Sequence, residues 1–326
     1  METKAGQPRY ILTPTELASV VNKSLPAITK SFKDQSFRMG AKRAGLPPDL
    51  VREYLEKEGV DYSFKVISHL NLRGGCSKTT ATISLATRAK QYGHKVCILD
   101  LDSQASASLA FKIIADDNQA VFVDIFHEPE KIGEALVEIE PNLSILPSSL
   151  NNGLLDASMS GKPQTQKTAV SNVCNELKKL GFTLVIIDCS PSLSASVIST
   201  ICASNLIVIP VASDIFSRRG LELTLKEIRS ICEAFGLPTP DIKILFSKYD
   251  GREKLSIDAL SDLAKDPEFS ELLLPCFIRT SSELPKSARS GETVFASFKK
   301  NSAREDYDMY ARELLNMNKL SSAEAL

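Results

Sequence analysis

From residue 63 onward the chain alternates short apolar runs with longer segments of helical period. Seven runs stand out: KVISHLNL, HKVCILDLD, NLSILPSS, FTLVIIDCS, NLIVIPVAS, DIKILFSKY and LLLPCFIRT. They are dense in Val, Ile and Leu and lack polar alternation, the mark of strands buried on both faces of a parallel sheet. Between them, segments such as 79–92 and 221–235 carry apolar residues at helical spacing. This order predicts a doubly wound α/β domain over residues 63–326. Its sheet is mostly parallel, with ligands bound at the carboxyl ends of the strands.

Residues 1–62 read as a small helical N-terminal segment. Thr13-Pro14-Thr15-Glu16 is a capping box with Pro at the first helical position, predicting a helix that buries Leu17, Val20 and Val21. Asn22-Lys23-Ser24 reads as a turn, and Ser24 caps a second helix carrying Ile28, Thr29, Lys30 and Lys33. Pro47-Pro48-Asp49 opens a third through Leu50, Val51, Tyr54 and Leu55. Short helices around a tight turn, with Lys30, Lys33, Arg38, Lys42 and Arg43 nearby, fit a helix-turn-helix. They fit equally a helical cap or dimerisation arm whose charges are solvated.

The stretch Leu72–Thr80, LRGGCSKTT, joins the first buried strand to the first long helix. A phosphate loop of the usual Walker A kind reads G-x-x-x-x-G-K-[ST]. Here Lys78 and Thr79 are in place, but Ser77 holds the last Gly position and Leu72 the first. A strand–loop–helix order turns backbone N–H groups and the positive helix end onto a phosphate. Asp100-Leu101-Asp102-Ser103-Gln104 ends the second strand. Ile186-Ile187-Asp188 closes a fully apolar one, where a carboxylate can hold a metal. Either Asp alone could be a helix cap. Three such features at strand ends point to a nucleoside triphosphate site.

Composition narrows the setting. The 326 residues carry 39 Lys and Arg against 40 Asp and Glu, a net charge of -1, so any nucleic-acid contact must come from local patches. The seven cysteines form no C-x-x-C pair, which favours reduced thiols over disulfides or a zinc site. Cys76 reads either as a redox-sensitive thiol at a helix N-terminus or as filler of a variable loop position. His69, His94 and His127 share no metal-ligand spacing and read as structural. METKAGQPRY lacks an apolar signal core, and Ala195–Ala212 is too broken by polar residues to span a membrane. A cytoplasmic protein is expected.

With these residues in view, the chain resembles the ParA/MinD group of deviant Walker ATPases, and most of all ParA partition ATPases. The family loop reads K-G-G-x-x-K-[ST]; Gly74, Gly75, Lys78 and Thr79 match it, and Arg73 fills the position of the signature lysine. The likeness continues through DLDSQASAS, LPSS, VIIDCSPSLS, VIPVASDIFSRRGLE, KYDGREKLS and FIRTSSELPKSARSGETVF, covering about residues 64–315 in preserved order. The N-terminal segment resembles, loosely and in shorter form, the helix-turn-helix extension of larger plasmid ParA proteins.

The resemblance implies a switch with ATP and Mg²⁺ as cofactors. ATP-bound monomers pair into a homodimer, the dimer binds nucleoid DNA without sequence preference, and a ParB-like adaptor or centromere-binding protein triggers hydrolysis. The loop 73–80 (Arg73, Gly74, Gly75, Cys76, Ser77, Lys78, Thr79, Thr80) would hold ATP. Lys78 would take the phosphates, Thr80 the α-phosphate, Thr79 and Asp188 the Mg²⁺, and Asp102 the attacking water, with Asp100 behind them. Arg73 would reach across to the partner's nucleotide as a planar fork where the family has an ammonium. Ser77 would strain the loop if it needs φ > 0, and Ser103 replaces the family Pro after Asp102.

For DNA, Arg252 matches a family arginine. A second family arginine falls near Ser282, leaving Lys286, Arg289, Lys299, Lys300 and Arg304 as substitutes for phosphate contacts. The alternative for this group is a solvated edge balanced by Glu283 and Glu292. Two other classes remain open to the sequence. A MinD-like membrane ATPase needs a basic amphipathic C-terminal helix, and 314–326 is too polar and weakly charged. A scaffold or regulator that holds nucleotide without turnover draws support from Arg73 and Ser77.

Overall fold

The seven apolar runs form adjacent strands of one sheet. The computed structural model describes residues 9–33, 35–39, 43–213 and 217–321. In chain order, the first half contains α1 (Pro14–Val20), α2 (Leu25–Ser31), β1 (Phe37–Met39), β2 (Arg43–Gly45), α3 (Pro48–Lys57), β3 (Lys65–His69), α4 (Lys78–Gln91), β4 (Val96–Asp100), α5 (Ser106–Ala110), α6 (Phe122–Ile125), α7 (Ile132–Ala135), β5 (Val137–Glu140) and β6 (Leu143–Leu146). The second half contains α8 (Leu155–Met159), α9 (Pro163–Lys179), β7 (Leu184–Asp188), α10 (Ala195–Ala203), β8 (Leu206–Val211), α11 (Ser217–Ala234), β9 (Asp241–Tyr249), α12 (Lys254–Lys265), β10 (Leu273–Arg279), α13 (Glu283–Ser290) and α14 (Ser302–Leu314).

The eight-stranded sheet runs β10-β9-β8-β3-β7-β4-β6-β5. Its neighbours are parallel except β5, which pairs antiparallel with β6 at one edge. Successive residues serve opposite faces, as the period of two requires. Ile67, Ile98, Ile186 and Val208 face α4 and α14. Val66, Cys97, Val185 and Ile207 face the layer containing α9, α10 and α11. This is the doubly wound arrangement expected from the runs.

The N-terminal helices form as their caps predict. Thr13 Oγ1 accepts from the Glu16 amide at 3.2 Å, and the Thr13 amide donates to the Glu16 carboxylate at 3.0 Å. Ser24 caps α2, and Asn22 takes the turn at φ 51°. A two-stranded hairpin, β1–β2, follows α2 and was not legible in the pattern. Tyr10, Leu17, Val20, Ile28, Phe32, Val51 and Leu55 share a hydrophobic core with Leu85, Tyr92 and Tyr307 of α4 and α14 and their ends. Lys30 and Lys33 are exposed, while Lys42 lies outside the described residues.

Candidate nucleotide site

Three central strands end in a row of polar groups. In the register His69 pairs with Asp188 across β3 and β7, and Asp100 pairs with Asp188 across β4 and β7. The loop 70–77 leaves β3 above this row and enters α4. Asn71 shapes its start: its side-chain oxygen accepts from the Arg73 amide at 3.0 Å, and its amide donates to the Pro210 carbonyl at 2.8 Å. Gly75 has φ 78°, and Ser77, the N-cap of α4, has φ 70° and ψ 23°. Ser77 thus occupies the left-handed region, at a cost of roughly 1–2 kcal/mol for a residue with a Cβ.

The loop's carbonyls are tied back. Lys78 Nζ donates to the Asn71 and Arg73 carbonyls at 3.1 and 3.0 Å. Lys248 Nζ donates to the Gly75 carbonyl at 2.7 Å, and Ser247 Oγ to the Cys76 carbonyl at 3.2 Å. Such a loop presents its N–H edge and the start of α4 to an anion. Lys78 is buried, so its charge is available to a phosphate with little competition from water.

Beneath the loop, Thr79 Oγ1 donates to Asp188 Oδ2 at 2.7 Å. Asp188 and Asp100 are fully buried. Asp100 Oδ2 accepts from the Ser108 amide and hydroxyl at 2.8 and 2.7 Å, but its Oδ1 has no hydrogen-bond partner among the described residues. Burial, and then the neighbouring Asp100, pushes Asp188 up to about 8; burial, only partly offset by Ser108, pushes Asp100 up to about 6. Two carboxylates that resist ionisation and a hydroxyl make a hard-oxygen set suited to a dication. No group of three or more His, Cys, Asp or Glu among the described residues could hold a metal. A Mg²⁺ bound through one carboxylate, a hydroxyl and substrate phosphates fits this set.

Asp102 follows β4 and is only partly buried. Its Oδ1 accepts from the Gln104 amide at 3.0 Å in a turn closed by Ala105 at φ 53°. Arg73 lies along the start of α11, where a Cβ on Gly220 would stand 3.5 Å from the Arg73 Cβ. Gly74 and Gly75 are exposed, Cys76 is buried, and Thr80 and Ser77 line a cavity of about 330 Å³. Lys248, Thr280 and Ser281 form its far wall at the ends of β9 and β10.

The candidate DNA residues divide. Arg252 is exposed and holds Asp250 through two bonds, Nε to Oδ1 at 2.9 Å and Nη2 to Oδ2 at 2.6 Å. Lys286, Arg289, Lys299 and Lys300 are exposed, with Lys286 paired to Glu283. Arg304 is different, and its expected role is corrected. It is buried, bonded to Glu16 and to the carbonyls of Val294 and Ser297, and faces inward on α14 with Tyr307, Ala311 and Leu314. It is not a surface group. A larger cavity of about 560 Å³ opens beside it, away from the phosphate loop, lined by Glu16, Arg88, Asp308 and Arg312.

The sequence does not point to Ser247 or Lys248, which brace the loop from β9. Lys248 opens KYDGREKLS and Ser247 precedes it, a stretch whose motif points to Arg252 alone. The seven cysteines are free, in keeping with the absence of a C-x-x-C pair.

Known proteins resemble this chain in sequence and in fold. The cell division protein PomZ of Myxococcus xanthus is 25% identical over 290 residues, covering 87% of this chain and 88% of that protein. The chromosome-partitioning ATPase Soj of Thermus thermophilus is 28% identical over 234 residues, covering 70% and 86%. Among solved structures, cobyrinic acid a,c-diamide synthase from Mycobacterium smegmatis, with bound ATP analog and magnesium, shares the fold at 23% identity. Its TM-score is 0.63, over 78% of this chain and 96% of that one. Residues 64–243 match the AAA_31 family, described as an AAA domain, and this chain belongs to that family.

Proposed function

We propose that this chain binds ATP with Mg²⁺ and acts as a ParA-like partition or positioning ATPase. The observation that carries the reading is the Thr79–Asp188 bond beneath a loop whose only buried cation is Lys78. Relatives named for cell division and chromosome partitioning support the biological class. In this role Lys78 takes the β- and γ-phosphates as a point charge, and Thr79 and Asp188 hold the metal, which supplies charge neutralisation at the transferring phosphate. Asp102, on a partly exposed turn beyond β4, orients the attacking water. The loop backbone from Gly74 to Thr80 cradles the phosphates.

Arg73 is assigned the crossing role in an ATP-bound homodimer. A guanidinium can bridge two phosphate oxygens, and in that pairing Arg73 leaves its place along α11. Arg252, Lys286, Arg289, Lys299 and Lys300 are proposed as the phosphate-binding surface for DNA. A ParB-like partner is proposed to stimulate hydrolysis, and nucleoid association in the cytoplasm follows from the DNA surface. Among the described residues no helix is long and apolar enough to cross a membrane.

ATP hydrolysis measured with and without DNA tests the reading. Turnover that rises with DNA is expected, with nucleotide affinity lost in Lys78→Ala and turnover alone lost in Asp102→Ala. Equal ATP affinity in Lys78→Ala and the unaltered chain would falsify the site. Tight ATP binding with no turnover under any condition would favour the scaffold reading, which the strained Ser77 supports.

A further inference from the structure

The loop and its metal residues leave His69 without a role, although it is the register partner of Asp188. His69 is fully buried, and both ring nitrogens are engaged. Nδ1 lies 2.9 Å from Thr82 Oγ1, and Nε2 lies 2.6 Å from the Tyr310 hydroxyl. Thr82 Oγ1 donates in turn to Asp188 Oδ1 at 3.4 Å, opposite the oxygen that Thr79 holds.

The direction of this chain follows from counting protons. With a dication held, Asp188 is an ionised carboxylate that only accepts, so the single proton of Thr82 is spent on it. The Thr82 oxygen then accepts from Nδ1–H. Burial keeps the imidazole neutral, with its pKa lowered to about 3, and a neutral ring carries one N–H. Nε2 is therefore the acceptor and Tyr310 the donor. Donation runs one way, from Tyr310 through His69 and Thr82 to Asp188.

We propose that Tyr310 and His69 are positioning residues for the metal-holding carboxylate. They fix the Thr82 hydroxyl and, through it, the oxygens that Asp188 turns toward a dication. This role rests on the reading of the loop as a Mg²⁺–nucleotide site. It also ties that site to α14, the helix that grips the N-terminal segment through the Arg304–Glu16 pair. Removing Tyr310 O–H frees the ring to reverse its tautomer. Thr82 then donates to Nδ1 and abandons Asp188.

The test is Mn²⁺ titration of the full chain with ADP, followed by the electron paramagnetic resonance of free Mn²⁺. Tyr310→Phe should weaken Mn²⁺ binding about tenfold, at the lower end for an outer partner of a metal ligand because the last bond is long. ADP affinity in EDTA should be unchanged. Thr82→Val should show the same loss, and it decides the matter if Tyr310→Phe does not fold. Tyr307→Phe is the control: this tyrosine is buried on the same helix, and its hydroxyl has no partner among the described residues. Wild-type Mn²⁺ affinity in both Tyr310→Phe and Thr82→Val would overturn the proposal, as would an equal loss in Tyr307→Phe. If the unaltered chain binds ADP but no Mn²⁺, or neither, the nucleotide-site reading falls and takes this role with it.

Discussion

Two clusters of buried charge lie at the two ends of α4, and they are built on opposite principles. At the seam with the N-terminal segment, Arg88 donates to Asp308 at 2.6 Å and to Glu16 at 3.2 Å. Arg304 joins Glu16, and Arg312 meets Asp308 at 2.6 Å. Lys90 and Glu140 form a further buried pair. At the strand ends, Asp100 and Asp188 are buried side by side with Lys78 as the neighbouring cation. Compensation marks the seam as structural. Its lack marks the strand ends as a place where binding energy is to be supplied by something else, because an unpaired buried carboxylate is costly.

The sharpest break of this comparison is a pair of substitutions. Arg88→Met leaves Glu16 with Arg304 alone and Asp308 with Arg312 alone, and should cost about 2–3 kcal/mol. Asp188→Asn removes a charge that burial already disfavours, so the nucleotide-free chain should lose no stability while its metal binding disappears. Urea denaturation measures both. A destabilised Asp188→Asn, or an Arg88→Met chain as stable as the original, would erase the distinction between the clusters.

The two clusters should also answer pH with opposite signs. Asp188 and Asp100 have folded pKa values raised to about 8 and about 6, above the unfolded carboxylate value of about 4. Between those values the folded chain binds more protons than the unfolded one, so stability falls as pH rises from about 4 to 8. Glu16 and Asp308 behave in reverse: burial raises them, but Arg88 with Arg304 or Arg312 more than offsets it and lowers both. Their contribution is present above pH 4 and is lost on acidification through the folded values. Without nucleotide or metal, stability should therefore peak in mild acid, differing by a few kcal/mol from its value at pH 8. Asp188→Asn should flatten the fall above pH 5, and a pH profile identical to the unaltered chain's would refute the assignment.

The same contrast explains what was legible in the sequence. Runs such as FTLVIIDCS announce strands buried on both faces, and the carboxylates at their ends are visible because each run stops on one. The capping box at Thr13 is equally plain, since it is a four-residue signal. The edge strand β5, VEIE, has only the weak alternation of a half-covered strand. The charge of Arg304 suggests surface, yet it stands in the buried stripe of Tyr307, Ala311 and Leu314, a spacing that places it inside. His69 lies in no motif, and Lys248 opens KYDGREKLS without anything that marks it as a loop tie. Their roles come from strand register and from a backbone turn, both of which bring together residues far apart in the chain.

The smallest expected effect sharpens the comparison from the loop's outer side. Lys248 is an exposed cation that, unlike the seam arginines, ties one backbone carbonyl, that of Gly75. It does so from φ 58°, a left-handed conformation that costs a side-chain-bearing residue about 1–2 kcal/mol. Strain of this kind persists where the surrounding structure enforces it. If the tie holds the loop in shape, Lys248→Ala should lower nucleotide affinity about fivefold, the worth of one hydrogen bond of about 1 kcal/mol. Lys248→Gly removes the same tie but relieves the backbone. Its affinity should fall as in Lys248→Ala while its urea midpoint stays at or above that of the alanine variant. Nucleotide titration and denaturation of the two variants separate tie from strain. Unchanged affinity in both would leave Ser247, through the Cys76 carbonyl, as the residue that braces the loop from this side.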